Sequence, residues 1–231
     1  MLILLDSADL QALRKIIPDH PIDGVTTNPT IISRACSEKR EIPGLLRSIR
    51  TLLGNEGMFH IQVIAANVDG ILAEAETIKE QFGSDVYIKI PVTPEGIKAI
   101  TILAKKGTRV TATAVFTPQQ ALVAAKAGAD FVAPYVNRLD DLAVDGSRVV
   151  REIKQIFTQY SLKTRVLAAS FRNIEQIHRV CLSGTDAVTI SPELYWKMLF
   201  HPLTGLSVEK FERDWAAIPE QGNGIEIKGG K

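Results

Sequence analysis

The chain has 231 residues, of which 45% are hydrophobic, enough apolar material for one sizeable core, and a single domain is the expectation. Its 27 basic and 26 acidic residues leave a formal charge of +1 without a long run of one sign, which argues against nucleic acid or a membrane surface as partner and for a small molecule. The two cysteines, Cys36 and Cys181, lie in helix-like sequence without Cys-x-x-Cys or Cys/His spacing and read as buried reduced thiols.

The opening MLILLD is apolar but meets an acid at Asp6, with no basic leader region or small-residue cleavage pattern. No apolar run approaches the ~20 residues that span a bilayer, so a cytoplasmic location is expected. Eight short apolar runs then follow: LILL at 2–5, DGVTT at 23–27, FHIQVIA at 59–65, VYIKI at 86–90, RVTATAV at 109–115, DFVAP at 130–134, RVLAAS at 165–170 and AVTI at 187–190. Between them apolar residues recur at helical spacing, as at Ile71, Ala75, Ile78 and Phe82, or at Ile97, Ile100, Leu103 and Ala104. Repeated βα units of this number and length predict an α/β fold, a (β/α)8 TIM barrel, whose strands are apolar on both faces because helices cover the outside. The alternative, an open doubly wound sheet, lacks a Gly-x-Gly-x-x-Gly or P-loop fingerprint after any strand. A C-terminal helix with Val208, Phe211 and Trp215 on one stripe completes a domain over residues 1–218, and the Gly-rich 219–231 reads as a flexible tail.

In such a barrel the chemistry sits at the C-terminal ends of the strands. Those ends carry Asp6, then Thr26, Thr27 and Asn28, then Gln62, Lys89, Thr113, Tyr135 with Asn137 and Arg138, and Ser170. Each also has a purely structural reading: Asp6 or Ser170 as a helix cap, Asn28-Pro29 as a turn, Gln62 as a satisfied core amide, Tyr135 as a rim aromatic. Those readings do not explain why all should face one mouth. Lys89 is the sharpest case, because strand alternation puts Tyr87 and Lys89 on one face and Ile88 and Ile90 on the other. A closed barrel has no edge, so Lys89 points into the lumen, where an ammonium is costly and a neutral, nucleophilic amine is favoured.

The stretches LDSADL at 5–10, GVTTNPTII at 24–32, KIPVTPEG at 89–96, AGADFVAPYVNRLDD at 127–141 and VLAASFR at 166–172 together resemble the small transaldolase-like family, most closely the fructose-6-phosphate aldolases. The resemblance runs from Leu2 to about Trp215 and implies a single-domain TIM barrel of the class I aldolase type. It implies that Lys89 forms a Schiff base with a ketone donor such as dihydroxyacetone, hydroxyacetone or fructose 6-phosphate, that Asp6 is the carboxylate beside it, and that Thr26 and Asn28 line the donor pocket. By the same likeness Gln62, Thr113 and Tyr135 hold a catalytic water, Arg138 and Ser170 match the contacts at the phosphate end, and Asn137 at the end of its strand is a further expected substrate-binding residue. Relatives assemble as homodecamers of two five-membered rings in which a C-terminal helix reaches a neighbour. Relatives more often carry Leu and Gly at Thr111 and Ala112, and often Tyr at Phe116, a difference in the donor pocket.

The residue types suit that chemistry. An unprotonated amine attacks a ketone, and the iminium draws electrons from the neighbouring C–C bond, so the covalent imine needs no further cofactor. Pyridoxal phosphate on Lys89 has no separate support. Metal-dependent chemistry is disfavoured because His20, His60, His178 and His201 are scattered, so no metal is expected. Three functions remain: an aldolase acting on fructose 6-phosphate, a transaldolase passing the dihydroxyacetone unit to a second sugar phosphate, and a non-catalytic sugar-phosphate-binding barrel. Transaldolase relatives typically have glutamate at Gln62 and phenylalanine at Tyr135, so the residues present favour the aldolase, with Tyr135 as acid/base.

Overall fold

The computed structural model describes residues 1–218, so the expected tail at 219–231 lies outside the described residues. Eight parallel strands close in sequence order: β1 (Leu2–Asp6), β2 (Gly24–Thr26), β3 (Met58–Gln62), β4 (Tyr87–Pro91), β5 (Val110–Val115), β6 (Phe131–Pro134), β7 (Arg165–Ala168) and β8 (Ala187–Ile190). The helices are α1 (Leu10–Arg14), α2 (Pro29–Ala35), α3 (Ile42–Leu53), α4 (Val68–Phe82), α5 (Pro94–Lys105), α6 (Pro118–Lys126), α7 (Val136–Asp140), α8 (Gly146–Gln159), α9 (Ile174–Leu182), α10 (Pro192–Leu199) and α11 (Pro202–Ala216). The predicted (β/α)8 barrel is what the chain forms, and each strand falls within a residue or two of its apolar run except β3, which stops three residues short of it at Gln62.

Local chemistry sets the boundaries. Several strands hand over to a helix through a polar cap: Asn28, Asn67, Thr93, Thr117 and Asn173 each accept a backbone N–H of the following turn. Proline stands in the first turn of α2, α5 and α6, where its missing N–H costs nothing. The run at 59–65 ends as a strand at Gln62 because the Glu74 carboxylate of α4 captures the N–H groups of Ile64 and Ala65, leaving Ile64 74% exposed.

Two apolar layers follow from the alternation. Outward-facing Leu5, Val25, Phe59, Ile88, Ile90, Ala112, Val132 and Val188 are buried between strands and helices. Inward-facing Leu4, Tyr87, Phe131, Leu167 and Ala187, with Leu2 and Met58, plug the N-terminal half of the lumen. Arg165 caps this plug, its guanidinium 4.0 Å from the Phe131 ring centre. Gly24 is required where β2 meets β3, since a Cβ there would lie 2.2 Å from the Met58 carbonyl oxygen.

By internal packing Met1–Tyr195, with the barrel, forms one compact unit and the chain from Trp196 another, whose main element is α11. Among the described residues no helix is long and apolar enough to cross a membrane. The cysteines differ from expectation: Cys36 and Cys181 are half-buried rather than buried, Cys36 because it ends the short α2 and Cys181 because it lies on the outer part of α9.

Candidate active site

Lys89 occupies the middle of β4 with its side chain in the lumen and 4% of its surface exposed. Its Nζ donates to the Thr27 carbonyl oxygen at 2.8 Å, at the end of β2. Burial pushes the Lys89 ammonium below its ordinary range, and the Asp6 carboxylate opposes that fall. Asp6 shows the mirror effect: burial raises its carboxyl, while the charge of Lys89 and a hydrogen bond from Thr26 oppose the rise. Both shifts favour the uncharged members of the pair. The Thr26 hydroxyl donates to Asp6 Oδ1 at 2.6 Å and can accept from Thr189, 2.7 Å away on β8, so three strands fix the carboxylate.

On the next strands Gln62 and Thr111 lie in register with Lys89, and Thr113 with Pro91. The Thr113 hydroxyl is 3.1 Å from the Tyr135 hydroxyl. Burial raises the Tyr135 phenol, with Thr113 the chief opposing influence, so it stays protonated at neutral pH. An irregularity in β5 between Ala112 and Val115 puts Ala114 at φ 56°, in the left-handed region, beside Thr113. Phe116 meets the Tyr135 ring edge to face at 5.6 Å, and the Arg138 guanidinium lies over the same ring, 5.4 Å from its centre. Among the described residues no direct hydrogen bond joins Gln62 to Thr113 or Tyr135; its Oε1 is buried without a partner. Gln62 also borders a separate, largely apolar groove of about 650 Å³ with Ile32, Ile42, Leu46 and Ile78.

Above Lys89 opens a polar cavity of about 510 Å³. Of the ten residues expected to form the site, Asp6, Asn28, Lys89, Tyr135, Asn137, Arg138 and Ser170 line it, while Thr26 and Thr113 reach it through their bonds to Asp6 and Tyr135. Asn28 has a structural task as well, because its Oδ1 accepts the Ile31 N–H at the start of α2. The Asn137 amide is occupied on both sides, donating to Asp141 at 2.9 Å and accepting from Gln176 at 3.1 Å, so it holds α7 against α9. Ser170 caps no helix: its φ of 63° turns the chain after β7, and its carbonyl accepts the Asn137 N–H at 2.7 Å.

An amine deep in a barrel whose charged form burial disfavours, a carboxylic group beside it, a phenol within the same cavity and guanidinium groups at the opening that make no ion pair among the described residues suit covalent chemistry on a phosphorylated carbonyl compound. Residues 3–226 match the family described as transaldolase/fructose-6-phosphate aldolase. The chain belongs to this transaldolase/fructose-6-phosphate aldolase family. It is 37% identical over 228 residues to a probable transaldolase of Nitrosopumilus maritimus, covering 98% of this chain and 100% of that protein. It is also 37% identical to a probable fructose-6-phosphate aldolase of Streptococcus pneumoniae, over 93% of this chain and 96% of that protein. A probable transaldolase of Aquifex aeolicus is 36% identical over 96% of this chain and 99% of its own length. Among solved structures, a flavocytochrome b2 with sulfite bound superposes with a TM-score of 0.60 at 13% identity, over 84% of this chain. The chain spans 57% of the length of that structure, and the likeness concerns the barrel alone.

In this transaldolase/fructose-6-phosphate aldolase barrel the structure adds residues that strand-end reading passed over. Arg34 of α2 and Arg172 after β7 line the cavity mouth with Arg138. Their signal was weak, since an arginine near a helix end or in a loop ordinarily points to solvent. His60 appeared as an isolated histidine, yet it lies in the lumen on the same face of β3 as Gln62, fully buried and stacked on Tyr87 at 4.4 Å. Its Nδ1 is 2.9 Å from the Thr111 hydroxyl, which explains why a threonine faces inward at 111. Burial first, then the charges of Lys89 and Arg165, hold His60 well below its ordinary range, so it is neutral.

Proposed function

We propose that this protein is a class I aldolase that cleaves and forms fructose 6-phosphate, with dihydroxyacetone and glyceraldehyde 3-phosphate as the second pair of compounds. The neutral Lys89 amine attacks the C2 ketone, and loss of water leaves an iminium on Nζ. As the C4 hydroxyl passes its proton to the water held by Tyr135, Thr113 and Gln62, cleavage of the C3–C4 bond sends its electron pair into the iminium, releases the phosphorylated aldehyde and leaves an enamine. Tyr135 supplies the proton that the enamine carbon takes up, through a water held with Thr113 and Gln62, and hydrolysis of the iminium returns dihydroxyacetone and the free lysine. Asp6, fixed by Thr26, orients the amine, and Asn28 faces the substrate hydroxyls. Arg138 and Ser170 hold the phosphate.

The observation that carries the reading is the Tyr135 phenol in the cavity above Lys89, 3.1 Å from Thr113, together with an amide rather than a carboxylate at Gln62. An amide cannot take a proton as a carboxylate can, so the phenol becomes the acid/base, and protonating the enamine releases free dihydroxyacetone. The second reading, transaldolase, is favoured by the names of most of the similar relatives. Incubating purified protein with fructose 6-phosphate and no acceptor separates the two. Release of dihydroxyacetone and glyceraldehyde 3-phosphate supports the aldolase, whereas turnover only after erythrose 4-phosphate is added would establish the transaldolase.

The reading entails sugar phosphates as partners, no cofactor beyond the imine on Lys89, and a cytoplasmic location. It also includes a homodecamer of two pentameric rings. No residue of α11 is buried, and its Phe211 and Trp215 are 66% and 63% exposed, an apolar stripe that a neighbouring copy would cover.

A further inference from the structure

Three guanidinium groups line the mouth of the polar cavity, those of Arg34, Arg138 and Arg172, and none of them makes an ion pair among the described residues. Asp141, the acidic group at the same rim, already accepts the Asn137 amide. Like charges that converge without a counterion repel one another, and the arrangement is relieved when an anion enters between them.

Their positions around the ring differ. The strands close in sequence order, so β2 and β6 stand on opposite sides of the barrel. Arg138 lies in α7 directly after β6, and Arg172 follows β7 beside it. Arg34 lies in α2, directly after β2. Lys89 on β4 is two strands from each. Ile31 and Arg34, one turn apart on α2, both face the cavity, and both also border an adjoining groove with Asp9 and Ser191. Arg34 therefore stands on the rim over the β8–β1–β2 arc, a different arc of the mouth from that of Arg138 and Arg172 after β6 and β7.

We propose that Arg34 is a specificity-determining residue that grips the phosphate of a sugar phosphate from a different arc of the mouth than Arg138. The inference rests on the sugar-phosphate reading above and adds a second side to the anion site. A one-sided site tolerates a phosphate at various heights above the wall. A two-sided one fixes the phosphate near the axis of the mouth, and with it the number of carbons between that phosphate and the carbonyl carbon bound to Lys89. Arg34 thereby selects for the length of the phosphorylated aldehyde as well as for its charge.

The test compares wild type, Arg34→Gln, Arg34→Lys and Arg138→Ala. Two readouts are used: direct equilibrium titration with inorganic phosphate, which needs no turnover, and the ratio of KM for glyceraldehyde 3-phosphate to KM for glyceraldehyde in condensation with dihydroxyacetone. Arg34→Gln should weaken phosphate binding and raise the KM ratio about tenfold, the effect of one lost charge-assisted hydrogen bond. Arg34→Lys should recover part of that loss, since the charge returns without the planar fork. Unchanged phosphate affinity and KM ratio in Arg34→Gln, with both altered in Arg138→Ala, would overturn the role of Arg34 and leave the sugar-phosphate site standing. If neither substitution alters either readout, the phosphate site itself is wrong, and the role of Arg34 falls with it.

Discussion

Replacing Lys89 with methionine removes the proposed nucleophile while keeping a flexible side chain of similar length. Two effects on stability oppose each other. The Thr27 carbonyl loses the donor that stands 2.8 Å away, and a buried acceptor left without its partner costs about 1–3 kcal/mol. Against this, burial holds the folded Lys89 below its unfolded value of 10.5, and each unit of that depression costs the native protein about 1.4 kcal/mol while the amine is charged in the unfolded chain. The sign is fixed by proton counting. Between the folded and unfolded pKa values the unfolded chain binds the extra proton, so the stability of wild type rises with pH there, and below the folded pKa the full cost remains. Lys89→Met removes that cost and its pH dependence. The two terms act in opposite directions, so the melting temperature should move by about 2–4 °C per kcal/mol of whichever exceeds the other. Activity, by contrast, should vanish together with borohydride-dependent labelling by fructose 6-phosphate, read by mass spectrometry of the intact protein and its peptides. Labelling that persists at a different lysine in the folded variant would refute the assignment. So would turnover retained by Lys89→Met.

Tyr135→Phe should lower acceptor-free cleavage of fructose 6-phosphate by roughly 10²- to 10⁴-fold, the usual share of a positioned acid/base, while Lys89 remains trappable; Gln62→Glu should shift products toward transfer onto erythrose 4-phosphate. Unchanged cleavage in Tyr135→Phe would remove the phenol from proton transfer. His60→Phe strands the Thr111 hydroxyl and should destabilise the fold by about 1–3 kcal/mol at neutral pH. Because the folded His60 titrates well below 6.5, wild type loses stability as pH falls through that value while the variant does not, so the gap between them should narrow in acid denaturant titrations. Parallel profiles would show that His60 is not held neutral. Sedimentation of wild type at micromolar concentration should give a particle of ten chains, and Phe211→Glu with Trp215→Glu should dissociate it; a wild-type monomer would exclude the rings.

Much of the architecture was legible in the sequence because it is encoded locally. The eight apolar runs, separated by helical periodicity and punctuated by Asn, Thr and Pro, set the strands and helices without reference to distant parts of the chain. Period-2 alternation in YIKIP was enough to send Lys89 to the face opposite Ile88 and Ile90, and a closed barrel turns that face into the lumen. The strand-end rule then collected Asp6, Asn28, Tyr135, Arg138 and Ser170 around it. What the sequence could not decide was which side chains meet across the ring. The bond from Thr26 to Asp6, the pairing of His60 with Thr111 and the contact of Thr113 with Tyr135 join residues on different strands, and they depend on register and on how the chain bends after each strand. The left-handed turns at Ala114 and Ser170 belong to residues with no intrinsic preference for that region, so no local signal announced them. Arg34 was the least visible of all: on its short helix it looks like any solvated arginine, and it shares a cavity with Arg138 because closure of eight strands brings the segments after β2 and β6 to one mouth.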